Sequence, residues 1–336
     1  MEQFKVLAID GGGIKGLYSA KILSLFEAEL QRARGDGVRV VDYADLICGT
    51  STGGLIALAL ALRIPAEKIC AFYEQKGPRI FQGSQGLPAL LRQTFFGGKF
   101  SDRPLREALE EMFQGHTIGD SACLLCIPTY DFTHGTYEVF KFDHEEGQLS
   151  RHNSLPMVDV ALATSAAPTF FPLAQIEQEN GTQFVDGGVW ANNPSLVGLA
   201  EALRYFVGPG KSFAHLNLLS VASLNCATGK APLLKRRRSF LQWAPELFDL
   251  PLIGQSEFTD VYLRLMQERQ LVPMTYTRIP SADISNDQSP FIKLDLATHR
   301  SLSLMKQYAT DMYHRYRRDP GVQAFFAETK AYRTGV

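Results

Sequence analysis

The sequence has little charge of one sign to spare: 34 Lys and Arg stand against 35 Asp and Glu in 336 residues, a formal net charge of −1. No chain-wide field draws it to nucleic acid or to an anionic bilayer. No nucleic-acid polymer is expected as a partner, and any membrane contact must rest on a local patch. Cysteine is scarce, with five residues in the whole chain. An odd number in a chain this long is not the framework of a small disulfide-stapled domain, and it fits a reducing compartment. Long apolar runs are missing as well. The best candidate for a membrane span, residues 46–62, is interrupted by Gly49, Thr50, Ser51, Thr52, Gly53 and Gly54, which leaves only Leu55 to Leu62 uninterrupted. That is far short of the roughly twenty residues a spanning helix needs. The opening MEQFKVLAIDGGG lacks a basic segment followed by a long apolar one, so no secretory signal is expected and the expected location is cytoplasmic. With 45% hydrophobic and 21% charged residues, the composition is ordinary for a globular protein and excludes disordered, collagen-like and coiled-coil classes.

What is present alternates. Phe4 to Ile9 reads as a strand stopped by Asp10-Gly11-Gly12-Gly13, and Ile14 to Ala33 carries apolar residues at helical spacing. Val38 to Val41 reads as a short strand. Ala44 to Cys48 is a strand, Gly49 to Gly54 a turn, Leu55 to Arg63 a helix and Ala66 to Gln75 another; Gln82 to Lys99 is a Gly-rich loop or cap with the aromatic pair Phe95-Phe96. Ser101 or Asp102 can cap a helix with Pro104 in its first turn, running to about Phe113. Ala122 to Phe132 and Thr136 to Phe142 read as a hairpin, Pro156 to Thr164 as a helix, Gln183 to Val185 as a strand end, Pro194 to Phe206 as a helix and His215 to Ser223 as a strand. Strands alternating with helices imply an α/β fold with a mostly parallel sheet and helices on both faces. Beyond Gly208 the pattern is less regular, with a basic run Lys235 to Arg238 and an apolar stretch Phe240 to Ile253 as the expected interfacial element.

Three turns carry chemistry. Gly11-Gly12-Gly13-Ile14-Lys15-Gly16 fits G-x-G-x-x-G between a strand and a helix. Such a turn aims backbone N–H groups and a positive helix end at one spot, which suits an anion. The anion is either a dinucleotide pyrophosphate, with Asp42 at about the right distance for a ribose, or the oxyanion of an acyl-transfer intermediate. Gly49-Thr50-Ser51-Thr52-Gly53 matches G-x-S-x-G in the strand–turn–helix setting of a nucleophile elbow, so Ser51 is a candidate nucleophile. A serine needs a base. In the order acid before histidine, His215, His299 or His314 follow Asp186, but none lies in a recognisable catalytic turn. Asp186 does: Phe184-Val185-Asp186-Gly187-Gly188 places a carboxylate at a strand end, able to take the proton itself if desolvated and held against the hydroxyl. The Cys123-Leu124-Leu125-Cys126 pair has no second pair to complete a metal site and reads as buried structural thiols.

Together, Asp10 to Gly16, Gly49 to Gly53, Ala163-Thr164-Ser165-Ala166-Ala167-Pro168-Thr169-Phe170-Phe171-Pro172 and Asp186-Gly187-Gly188-Val189-Trp190-Ala191-Asn192-Asn193-Pro194 resemble the patatin-like phospholipases, in order and spacing. The resemblance implies a three-layer α/β/α sandwich over residues 6–200. Residues 208–336 would be a mainly helical extension that completes the fold and holds a lid or regulatory region. It implies a Ser51–Asp186 dyad and an oxyanion hole from Gly11, Gly12 and Gly13 with Lys15 beside it. Gly16, Gly49, Gly53, Gly187 and Gly188 would be the motif glycines. It implies hydrolysis of fatty acyl esters of membrane phospholipids through an acyl-serine, with no metal or redox cofactor. The protein would touch the inner face of the membrane peripherally; a homo-oligomer stays open. The stretch Val6 to Gly16 and the length look like the bacterial branch, some members of which are anti-phage effectors activated by a cyclic dinucleotide. The competing reading is a dinucleotide-binding oxidoreductase using Gly11 to Gly16 and Asp42, which leaves Ser51 and Asp186 without a role.

Overall fold

The computed structural model describes residues 3–82, 98–225, 237, 247 and 249–332. Most of the Gln82 to Lys99 loop with Phe95-Phe96, the basic run apart from Arg237, and most of the stretch from Phe240 to Ile253 lie outside the described residues.

Five parallel strands form the centre of one eight-stranded sheet. They are β1 (Gln3–Ile9), β2 (Leu46–Gly49), β3 (Leu124–Asp131), β7 (His215–Val221) and β8 (Met274–Ile279), in the spatial order β3-β2-β1-β7-β8. Three antiparallel strands close the other side. β4 (Thr136–Lys141) returns along β3 as a hairpin, and β6 (Thr182–Asp186) pairs with the end of β3 and with β5 (Ala174–Ile176). From Phe4 onward every residue of β1 is buried, as a parallel strand covered on both faces requires.

Helices supply the covers. α1 (Gly16–Arg34) packs on α3 (Ala66–Ile80) and α9 (His299–Tyr316). α2 (Thr52–Ala61) is buried at all ten residues; an apolar surface on every side is the mark of a helix enclosed by the fold. α4 (Arg103–Phe113) packs on α3 and α5 (Met157–Thr164). α6 (Gly188–Ala191), α7 (Ser195–Glu201), α8 (Asp249–Glu268) and α10 (Pro320–Phe325) complete the set. Among the described residues no helix is long and apolar enough to cross a membrane.

Several sequence expectations are corrected. Val38 to Val41 is not a strand: the chain makes a 3-10 turn at Val40–Tyr43, where the Arg39 amide donates to the Asp42 carboxylate at 2.8 Å. Local side-chain capping here outcompetes β-propensity. α3 runs past Gln75 through Pro78 to Ile80, and the helix after Pro194 ends in a π-turn at Ala202–Phe206. The region after 208 is mainly helical, with the expected strand at β7, and adds β8, which was not expected, beside it.

Candidate active site

β1 and β2 are adjacent and parallel, with Ile9 opposite Gly49, so the turns that leave them meet at one end of the sheet. At the end of β2 the chain reverses so tightly that Ser51 sits at φ 54°, ψ −125°, a strained conformation for a residue with a side chain. The neighbouring glycines make room for it. A Cβ on Gly49 would lie 2.1 Å from the Gly53 carbonyl oxygen, and one on Gly53 would lie 2.2 Å from that of Ile9. The Ser51 amide donates to Thr164 Oγ1 at 3.0 Å, and that hydroxyl donates to the Pro128 carbonyl at 2.6 Å. The elbow is thus tied to α5 and β3, and α2 begins directly behind the serine.

Asp186 ends β6, held because its own amide donates to Ala166 O at 3.0 Å. Its carboxylate is buried and takes the Gly188 amide at 2.7 Å. Burial raises its pKa to about 7, while the nearby Ser51 hydroxyl and the Gly188 amide pull the other way. A carboxylate tuned to that value can accept a proton near neutrality. Gly187 allows the approach, since a Cβ there would lie 2.2 Å from Pro128 O.

The glycine turn after β1 faces the same point. Gly13 has φ +59°, and a Cβ there would stand 2.3 Å from the Leu294 carbonyl, which accepts the Ile14 amide at 2.9 Å. The Gly12 and Gly13 amides donate to no acceptor among the described residues, and both residues line a cleft with Ser51 and Asp186. The remaining walls are largely apolar, among them Phe72, Ile80, Phe81, Leu105, Phe170 and Phe171.

Two expectations need correction. The Gly11 amide donates to Asn192 O at 2.9 Å, and its carbonyl accepts from Ser223 Oγ at 2.6 Å. Gly11 therefore fixes the turn and has no donor left for an oxyanion. Lys15 is not among the cleft-lining residues; its ammonium reaches Asn225 Oδ1 at 3.1 Å. Gly16 starts α1 against Thr52, whose Oγ1 a Cβ would approach to 2.9 Å.

The nucleotide reading loses its acid. Asp42 forms an ion pair with Arg63 on the far side of the 3-10 turn. None of the seven histidines lines the cleft; His215, for one, meets Thr275 Oγ1 at 2.9 Å. Cys126 is buried on β3 and Cys123 just before it, and burial pushes the Cys123 thiol up to about 12, which leaves it a poor nucleophile.

Other participants carry no local signal. The Arg278 guanidinium on β8 grips the Asp10 carboxylate, 3.2 Å and 2.5 Å at its two oxygens, and bonds Ser220 at 2.5 Å, all in the interior. Asn192 donates to Ser256 Oγ on α8 at 2.8 Å, and Leu252 from the same helix lines the cleft. A pairing between positions 10 and 278 has no sequence period by which to be found.

An α/β sheet that ends in an elbow serine, with a buried carboxylate and two amides unpaired among the described residues lining the same apolar cleft, fits the class of serine hydrolases for apolar acyl substrates. Comparison narrows the class. The family model for patatin-like phospholipase matches residues 7–197, and the chain belongs to that family. A cGAMP-activated phospholipase of Pseudomonas aeruginosa (strain BWHPSA011 / Pa011) is 35% identical over 96% of this chain and 92% of its own length. A cGAMP-activated phospholipase of Vibrio cholerae is 34% identical over 66% of this chain and 64% of its own. Patatin-like protein 2 of Arabidopsis thaliana is 27% identical over 91% and 82%.

Proposed function

We propose that the protein hydrolyses fatty acyl esters of membrane phospholipids through Ser51 and Asp186. The observation that carries this reading is that Ser51, the buried Asp186 carboxylate and the Gly12 and Gly13 turn line one largely apolar cleft. Ser51 Oγ attacks the ester carbonyl as Asp186 takes its proton. The tetrahedral oxyanion is held by the Gly12 and Gly13 amides; removing one such donor typically costs about 3 kcal/mol of barrier. The protonated Asp186 hands its proton to the departing alcohol. Water, deprotonated in turn by Asp186, then attacks the acyl-Ser51 and frees the fatty acid. The acyl chain lies along Phe72, Ile80, Phe81, Phe170 and Phe171. Drawing a lipid out of a bilayer exposes methylenes at about 0.8 kcal/mol each, which an apolar wall offsets.

The substrate places the working protein against the membrane, at its inner face in the anti-phage setting that the resemblance implies. Activation by a cyclic dinucleotide is part of the proposal, supported by the cGAMP-activated relative that this chain matches over nearly its whole length. Residues 6–200 hold the dyad and the anion turn; the region after 208 is proposed to brace them and to carry regulation. The test is fatty-acid release from phospholipid vesicles with and without cGAMP, for wild type, Ser51→Ala and Asp186→Asn. Release by wild type that cGAMP raises and both variants lose is expected. Undiminished release by Ser51→Ala ends the dyad assignment; release indifferent to cGAMP ends the activation assignment.

A further inference from the structure

α8 (Asp249–Glu268) has two apolar faces where a helix of a globular protein needs one. With residues about 100° apart around its axis, the buried side chains Leu252, Ser256, Thr259 and Leu263 fall on one side. This inward side meets the cleft through Leu252 and the Asn192 loop through Ser256. On the opposite side Leu250, Phe258, Val261, Tyr262 and Leu265 fall within a sector roughly 120° wide. They are five of the eleven large hydrophobic residues exposed among the described residues, Phe258 at 68% and Val261 at 61%. Leu271, just past the helix end, extends the row at 66%. Gly254 lies in the middle of this sector, and a Cβ there would meet nothing within 4 Å. The Phe258 and Tyr262 rings stack at 6.4 Å, and neither meets another ring among the described residues. A contiguous exposed patch of this kind marks a surface that is covered in use.

We infer that the outward face of α8 is the membrane-docking surface, and that its occupant is the acyl–headgroup boundary of a phospholipid bilayer. The choice of occupant rests on the phospholipid-hydrolase reading; the face itself does not. Three observations favour a bilayer over a second copy of the chain. The helix that carries the face also walls the cleft through Leu252 on its other side, so lipid seated on it lies one helix diameter, about 10 Å, from the acyl pocket. The charged row at the sector's edge, Glu257, Arg264 and Glu268, is of mixed sign, which does not exclude a zwitterionic surface and gives no charge pattern for a like partner. A Phe–Tyr pair at the centre of an apolar sector suits the interfacial depth, where an aromatic body is buried and a phenolic oxygen stays wet. Burial of apolar area, not attraction of phosphate, drives the contact.

The experiment is co-sedimentation of the full chain with phosphatidylcholine vesicles, with and without cGAMP, for wild type, the double variant F258E/V261E and Ser51→Ala. Both substituted positions are exposed, and unchanged thermal unfolding of F258E/V261E checks that the fold is intact. The double variant is expected to lose vesicle binding and vesicle hydrolysis by roughly tenfold or more, while hydrolysis of a short, water-soluble ester stays within about twofold of wild type. Wild-type binding should change by less than about threefold between low and 0.5 M salt, since screening acts on charges and not on apolar contact. A single Val261→Trp reporter should shift its emission to the blue on adding vesicles. Vesicle binding by F258E/V261E equal to wild type overturns the inference. So does a wild-type oligomer in vesicle-free solution that the double variant abolishes, which would assign the face to a second copy. Ser51→Ala should bind vesicles like wild type; a wild type that binds but hydrolyses neither substrate would sink the hydrolase reading while leaving the docking face in place.

Discussion

Two glycine turns end neighbouring strands of the same sheet, and they are braced in opposite ways. The turn after β2 is packed mainly by its own neighbourhood, with long-range ties from Thr50 to Ala191 and from the Ser51 amide to Thr164. Hypothetical Cβ atoms on Gly49 and Gly53 run into the carbonyls of Gly53 and Ile9, backbone that belongs to the elbow or to the adjacent strand. The turn after β1 is held from a distance. Gly11 packs on Asn192, Gly12 on Ser223, Gly13 on Leu294, and Asp10 is gripped by Arg278. One turn presents a side chain and is shaped by backbone crowding from its own residues and the adjacent strand. The other presents two amides and takes its shape from residues some two hundred positions further on. A nucleophile can therefore be recognised from five consecutive residues, whereas an anion cradle is only as good as the part of the chain that buttresses it.

The contrast can be broken or sharpened by experiment. The largest effect is expected for Ser51→Ala, with fatty-acid release down by on the order of 10⁴-fold or more and thermal unfolding unchanged. Next is Arg278→Met, which leaves the Asp10 carboxylate buried and unpaired; loss of one partner of such a pair costs about 3–5 kcal/mol. Denaturant unfolding of Arg278→Met and of the double variant with Asp10→Asn should show the second substitution restoring much of the loss. No restoration would mean that the ion pair is not what braces the first turn.

A smaller effect separates the turns directly. Gly12→Ala and Gly49→Ala should each cost about 1–3 kcal/mol through overpacking. Ser223→Gly should relieve the first, because the obstruction is the Ser223 side chain at 2.5 Å. No side-chain change should relieve the second, where the obstruction is backbone. Equal rescue of both would erase the distinction drawn here.

Proton linkage gives about a tenfold step per pH unit. The Asp186 pKa of about 7 means that kcat/KM on a soluble ester should rise with unit slope below pH 7 and level off above it. Stability runs the other way. The folded value lies above the ordinary carboxylate value, so between about pH 4 and 7 the native state binds the extra proton. The stabilisation is complete below the unfolded pKa and is lost as pH rises through 7. Asp186→Asn should remove that slope from a pH series of unfolding curves, and a wild-type series that stays flat there would contradict the raised value. The smallest effect is expected for Asp42→Asn, whose partner Arg63 is half exposed. Stability should change by less than about 1 kcal/mol and hydrolysis not at all. A collapse of activity would reinstate Asp42 as a site residue.

Much of this was legible in the residues themselves. β1 with its Gly turn and α1, β2 with the Ser51 elbow and α2, and the Asp186-Gly187-Gly188 strand end all announce themselves by short-range chemistry, because strand, turn and helix start are set within a dozen residues. Gly11 and Lys15 were assigned to the oxyanion hole by position in a motif. Their hydrogen bonds go to Asn192 and Asn225, which no local pattern reveals. Val38 to Val41 has strand-forming side chains but is bent by the Asp42 carboxylate onto the Arg39 amide. β8 lay unrecognised in Met-Thr-Tyr-Thr-Arg-Ile, where Arg278 is a buried counter-ion to Asp10. The outward face of α8 was missed for a different reason: its apolar spacing looks the same whether the residues face a core or the outside.

The placement of β8 and Leu294 also sets an order of assembly during synthesis. The serine elbow leaves the ribosome with the first sixty residues, but the cradle that faces it takes its final shape only when Arg278 and Leu294 have emerged and docked. A nascent or prematurely released chain thus carries its nucleophile without a finished anion pocket.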